Sequence, residues 1–167
     1  MYDAYGLEVL SQPECYRLLR ENRVGRFIFV DHMLLVAHPV AYVFDGASVV
    51  FQSNGGAKLE VATKHSYAGF EIDYVDPEHG YGWTVIVSGH AEPVTDAYEV
   101  TRLKNRLPPP WTNKGRVDII RMRAEIVQGR RTMPKPSDDA APRDSGTAPP
   151  MRPPRYDPNH GPAFRPG

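Results

Sequence analysis

The sequence predicts a mainly β domain, α+β in the broad sense, whose antiparallel strands close into a small barrel with a few short helices. Two observations carry this. Extended runs rich in Val, Ile, Phe and Tyr ("VGRFIFV", "MLLVAHPVAYVF", "ASVVFQS", "SYAGFEIDYV", "GWTVIVSGHAEPV") follow one another across short turns, and "DG" at 45–46 is a strong hairpin signal. Helical periodicity is confined to brief stretches, so the strand–helix alternation that a doubly wound sheet needs is missing.

Taken in order, "LSQPECYRLLREN" opens on a capping box, in which Ser11 accepts from the first free amides and Glu14 can reach back. Leu10, Cys15, Leu18 and Leu19 then form an apolar stripe at helical spacing. Three strands follow, the second and third joined at Asp45–Gly46. A short helix is expected at 57–65. Two strands joined by "DPEHGY" come next, and a helix over about 95–106 is capped by Thr95 or Asp96. "LPPPW" breaks that helix. "RVDIIRMRAEIVQGRR" supplies one last strand, with charged and apolar residues alternating.

Composition changes abruptly after residue 132. From there the chain is dominated by Pro, Gly, Ala and charge, and such a segment cannot bury enough apolar surface to offset its ordering entropy. The expected organisation is therefore a domain at 7–132 and a disordered Pro-rich tail at 133–167. The 20 basic and 20 acidic residues cancel, which gives no electrostatic case for nucleic acid or an anionic membrane surface. One cysteine rules out an internal disulfide and a multi-thiolate metal centre. No apolar run nears the roughly 20 residues of a membrane span. A soluble, cytoplasmic protein is expected.

Catalytic signatures are sparse. There is no GxGxxG, Walker motif, GxSxG elbow or HExxH. The six histidines (32, 38, 65, 79, 90 and 160) include no i,i+4 pair, and no metal site is expected. Cys15 reads as a buried structural thiol, and Glu71 with Asp73 as a solvated strand face. The most informative stretch is "VVFQSNGGAKLEVA", a strand running through a glycine turn into a helix that opens with Lys58. Backbone amides at such a turn, the side chains of Gln52, Ser53 and Asn54, and the lysine are what a phosphate requires. From the local pattern alone, a phosphate site and a plain turn with an exposed lysine both stay open.

Several stretches together resemble the pyridoxamine-phosphate-oxidase-like, flavin-binding split-barrel family. "LSQPECYRLLRENRVGRF" is similar to its first helix and strand entry. "HPVAYVFDGASVVFQSNGGAKL" is similar to its strand pair ending in a polar tip, Gly turn and lysine. "GFEIDYVD", "GWTVIVSGHAEPV" and "PPPWTNKGRVDIIRMRAEIVQGRR" are similar to its later strands and closing Trp loop, as in short actinobacterial-type members.

The resemblance covers about residues 8–132. It implies a six-stranded split barrel that pairs into a homodimer, with FMN between subunits. Carried over, Gln52, Ser53 and Lys58 would hold the flavin phosphate, and the ring would lie against Pro39, Val40, Ala41 and Tyr42. Trp83 and Thr84 would approach it from a neighbouring strand, and Trp111 from the C-terminal loop. Two departures stand out: Gln52 replaces a common Arg or His, and Ala57 a common second basic residue. Each removes a charge-assisted bond of about 1.5–3 kcal/mol, which makes a deazaflavin the alternative cofactor. Vitamin B6 oxidation is not expected, since the chain after "QGRR" lacks a substrate-binding end.

The resulting expectation is an oxidoreductase passing a hydride from FMN or a deazaflavin to a small organic acceptor such as a quinone or nitro compound. The alternatives are a non-catalytic dimer that binds or stores flavin, deazaflavin or haem, and an interaction module working through its tail.

Overall fold

The computed structural model describes residues 1–109 and 117–132. Trp111 and the expected tail lie outside the described residues. Within them run β1 (Glu8–Val9), α1 (Gln12–Glu21), β2 (Val24–Asp31), β3 (Leu34–Asp45), β4 (Ser48–Ser53), α2 (Ala57–Thr63), β5 (Tyr67–Asp76), β6 (Tyr81–Pro93), α3 (Ala97–Lys104), β7 (Asp118–Arg123) and β8 (Ile126–Thr132). The strands β6-β5-β2-β3-β4-β7 are hydrogen-bonded neighbours in that order, and β7 returns to β6. All these pairings are antiparallel. The result is the closed six-stranded barrel that the strand pattern predicts. β8 and β1 continue outward from the first half of β6.

The expected last strand is in fact two. Ser88 pairs with Ile126 and Ala91 with Met122, so two residues, Gly89 and His90, face three, Arg123, Ala124 and Glu125. The extra residue is a β-bulge, which bends the strand. It shifts the side-chain phase: Ile120 and Met122 point into the core before it, and Val127 does so after it. The adjacent apolar pair Ile126–Val127 is the trace of that shift in the sequence. Gly89 permits the bend, because a Cβ there would lie 1.9 Å from the Arg123 carbonyl oxygen. His90 fastens it: its backbone N–H reaches Glu125 Oε1 at 3.2 Å and its Nδ1 lies 2.9 Å from the same oxygen.

The core is aromatic. Phe27, Tyr42, Phe51 and Phe70 are wholly buried inside the barrel, with Tyr42 and Phe70 edge-on at 4.7 Å. Tyr42 also donates its hydroxyl to the Leu19 carbonyl at 2.8 Å, which seats α1 on the barrel. Cys15, Leu18 and Leu19 are the buried face of α1. Ser11 caps α1 through the Glu14 amide, but the Glu14 carboxylate takes Arg17 and Arg131 rather than reaching back. Charged partners on both sides outbid a single backbone amide, and they hold that carboxyl down to about 2, Arg17 being the largest cause. On the far side Val43, Val50, Leu103, Leu107 and Ile119 form a second apolar cluster under α3. Asp96 caps that helix.

Candidate functional site: a cleft at the end of β4

β3 outruns β4. Tyr42 is the last β3 residue paired with β4, opposite Phe51, whereas Pro39, Val40 and Ala41 pair only with β2. That leaves an open strand edge beside the tip of β4. From Ser53 the chain turns through Gly55 and Gly56, both with positive φ, 78° and 70°, a conformation that glycine adopts at little cost. It then enters α2. A cleft of about 280 Å³ lies between these parts, lined by Pro39–Ala41, Gln52–Gly55 and Lys58, with Pro108 and Pro109 as a further wall.

Thus six expected contacts, Pro39, Val40, Ala41, Gln52, Ser53 and Lys58, meet in one place. Pro108 and Pro109 were not foreseen. The sequence signal was "LPPPW", which reads locally as a helix breaker and says nothing of where the chain goes next. Tyr42 sits differently: its ring is core and its hydroxyl belongs to Leu19. Trp83 and Thr84 line a separate hollow by β5, β6 and β8, with Glu71, Asp73, Tyr81 and Arg131, and Trp83 also packs against the barrel core. The hollow shares no lining residue with the first cleft. Glu71 and Asp73 both face Arg26, at 3.8 and 2.6 Å, so these two carboxylates share one guanidinium. Among the described residues no group of three or more His, Cys, Asp or Glu side chains is placed to hold a metal.

Inside the cleft the polar groups are unequal. Ser53 is buried, and its hydroxyl donates to the Gly55 carbonyl at 3.0 Å, so it shapes the turn. Gln52 Oε1 is buried and has no hydrogen-bond partner among the described residues. Lys58 is half-buried, and burial pushes its ammonium below the ordinary lysine value. No hydrogen bond or ion pair balances it among the described residues. A half-buried cation without a counter-ion costs free energy unless an anion arrives. Ala57 lies on the other side of the turn, where it packs on the barrel core and lines a different hollow with Asp31 and Glu60.

The chain is an antiparallel split barrel with a lysine in a strand-tip cleft, and comparison with known proteins makes the class specific. The family model for pyridoxamine 5'-phosphate oxidase matches residues 11–133. A curated relative, an uncharacterised protein of Mycobacterium tuberculosis, is 32% identical over 127 residues, 73% of this chain and 83% of the relative. The chain belongs to the pyridoxamine 5'-phosphate oxidase family. Among solved structures it is similar to the FAD-binding protein of Mycobacterium smegmatis, at 28% identity and a TM-score of 0.63, covering 74% of this chain and 97% of that one. It shares its fold with an FAD-binding protein of Mesorhizobium loti, at 21% identity and a TM-score of 0.65, covering 76% and 99%.

Proposed function

We propose that this protein binds a flavin by its phosphate at Lys58 and uses it to pass a hydride to a small organic acceptor such as a quinone or nitro compound. The observation that carries the reading is Lys58 itself, a half-buried ammonium without a counter-ion among the described residues, in a walled cleft. The residues present fit the group. Lys58 answers the phosphate charge, and the unpartnered Gln52 Oε1 is an acceptor for a ribityl hydroxyl. The open edge of β3 at Pro39–Ala41 offers backbone groups to a heterocycle's rim. The flavin, when bound, supplies the redox chemistry; the chain binds, orients and excludes water. The FAD binding of the M. smegmatis relative supports a flavin. FMN is the form we favour and a deazaflavin the alternative. Because Ala57 faces away from the cleft, only Gln52 costs the phosphate a charged partner.

The cleft lies just below the roughly 300–1,000 Å³ of an ordinary ligand site, so it takes one end of the cofactor and a second copy of the chain covers the rest. The outer face of β3 points to such a copy. By strand alternation Leu35, Ala37, Pro39 and Ala41 share it, and Leu35 is 78% exposed opposite Val30, itself 63% exposed. The apolar strip thus runs directly into the cleft. We assign the function to residues 7–132, leave 133–167 outside the domain, and place the protein in the cytoplasm.

The test is an absorbance spectrum of the purified protein, then titration with FMN, FAD and a deazaflavin. Tight uptake of one of them and its turnover with a quinone or nitro acceptor support the reading. Uptake without turnover favours a storage dimer, and no uptake at all sinks the cleft assignment.

A further inference from the structure

The chain has five lysines, at 58, 64, 104, 114 and 135. Of the three described, Lys64 is paired with Glu60 and Lys104 is exposed on α3. Lys58 alone combines partial burial, a cleft and no carboxylate partner among the described residues.

We propose that Lys58 is a site of acylation by small acyl phosphates, and that acylation switches the cofactor cleft off. The inference rests on reading the cleft as a phosphate site. An acyl phosphate carries its electrophilic carbonyl carbon one oxygen away from its phosphorus. A cleft that draws the phosphate to Lys58 therefore brings that carbon to the same nitrogen, which is the advantage of proximity. The neutral amine attacks, a C–N bond forms, and the bond from carbonyl carbon to phosphate oxygen breaks. Inorganic phosphate leaves with the bonding pair, and the surplus proton on nitrogen passes to water. No oxidant or reductant is needed.

Two properties of the site favour this step. Burial lowers the ammonium, which enlarges the fraction of free amine at neutral pH, as for other desolvated lysines. The product is a neutral amide. It removes the uncompensated charge from the half-buried position and so relieves the cost that the unmodified chain carries. The same neutralisation takes away the cation that the cofactor phosphate meets, so the modified protein holds flavin weakly while its barrel is untouched.

The experiment uses the full-length, cofactor-free protein with acetyl phosphate as the acyl phosphate and N-hydroxysuccinimidyl acetate as a donor without phosphate. Peptide mass spectrometry follows each lysine. We expect Lys58 to react at least about fivefold faster than Lys104 with acetyl phosphate, and to show a clearly smaller preference with the ester, which lacks the phosphate that brings the carbonyl close. Added FMN or inorganic phosphate should protect it. FMN affinity of the acetylated protein, and of Lys58→Gln, should fall at least about tenfold with the melting temperature of the cofactor-free protein the same or higher. Lys58 reacting no faster than Lys104 overturns the inference, as does an acetylated protein that binds FMN normally. An FMN titration of the untreated protein separates the failures. Normal FMN binding with unselective acetylation overturns this inference alone, whereas no FMN binding and no protection overturn the cleft reading with it.

Discussion

On the proposed reading, the charge of Lys58 is a burden to the empty protein and an asset to the loaded one. Removing it separates the two. Lys58→Ala is expected to weaken FMN by about 1.5–3 kcal/mol, roughly 10- to 150-fold, while the thermal midpoint stays the same or rises, because a half-buried unpaired cation is gone. Fluorescence titration and a melting curve on the same sample check both halves. An unchanged FMN affinity would remove Lys58 from the phosphate site. The place of Lys58, after a polar strand tip and a glycine turn, was legible in the sequence because those are local features; its half-burial was not, because that depends on the packing around the cleft. The unpartnered Gln52 Oε1 was not, because whether that amide finds a donor depends on how far β3 runs past β4. Pro108 and Pro109 were hidden for the same reason: they reach the cleft from beyond α3 by tertiary packing.

At the level of elements, the bulge in the last strand is the feature most sensitive to small change. Gly89→Ala would put a methyl group 1.9 Å from the backbone oxygen of Arg123, a contact with no flexible side chain to give way. We expect a loss of at least about 3 kcal/mol, as for other severe core overpacking, read as a drop in the urea midpoint. Removing Ala124 from the bulge should be as damaging by another route. A one-residue slip turns Val127 outward and Gln128 inward along the whole of β8. If either variant unfolds like the parent, the bulge is not a structural requirement. The sequence pattern predicts every strand of the barrel, because alternation and turn residues are written locally. It hides the division of the last strand, because a bulge adds a residue without adding a turn signal, and it hides β1, whose two residues are too few for a period.

For the molecule as a whole, two measurements bear on assembly and stability. Leu35→Glu places a charge in the apolar strip beside the cleft. If a second copy covers the cofactor as proposed, the variant should be a monomer by light scattering and bind flavin at least about tenfold more weakly; a variant that stays dimeric and binds normally argues against that face. Acid stability should turn in part on Asp45. Arg102, with Arg106 behind it, holds its carboxyl down at about 2 in the folded protein. A lowered folded value means stability that is present above the ordinary carboxylate range near pH 4 and lost as pH falls through about 2. Allowing for solvent screening by the half-exposed arginines, the contribution is about 1 kcal/mol. Asp45→Asn should flatten that part of the urea midpoint's pH profile between 5 and 2.5 and leave the part due to Glu14.

The closed ring has a consequence for synthesis. β6 is complete by Pro93, yet its second edge and that of β4 wait for β7, whose last residue is Arg123. At a synthesis rate of about 5–20 residues per second, those edges stand open for a few seconds on the ribosome. A nascent chain stalled in that interval offers two unpaired strands to its neighbours. Slowing translation between residues 93 and 123 is therefore expected to lower the yield of folded protein.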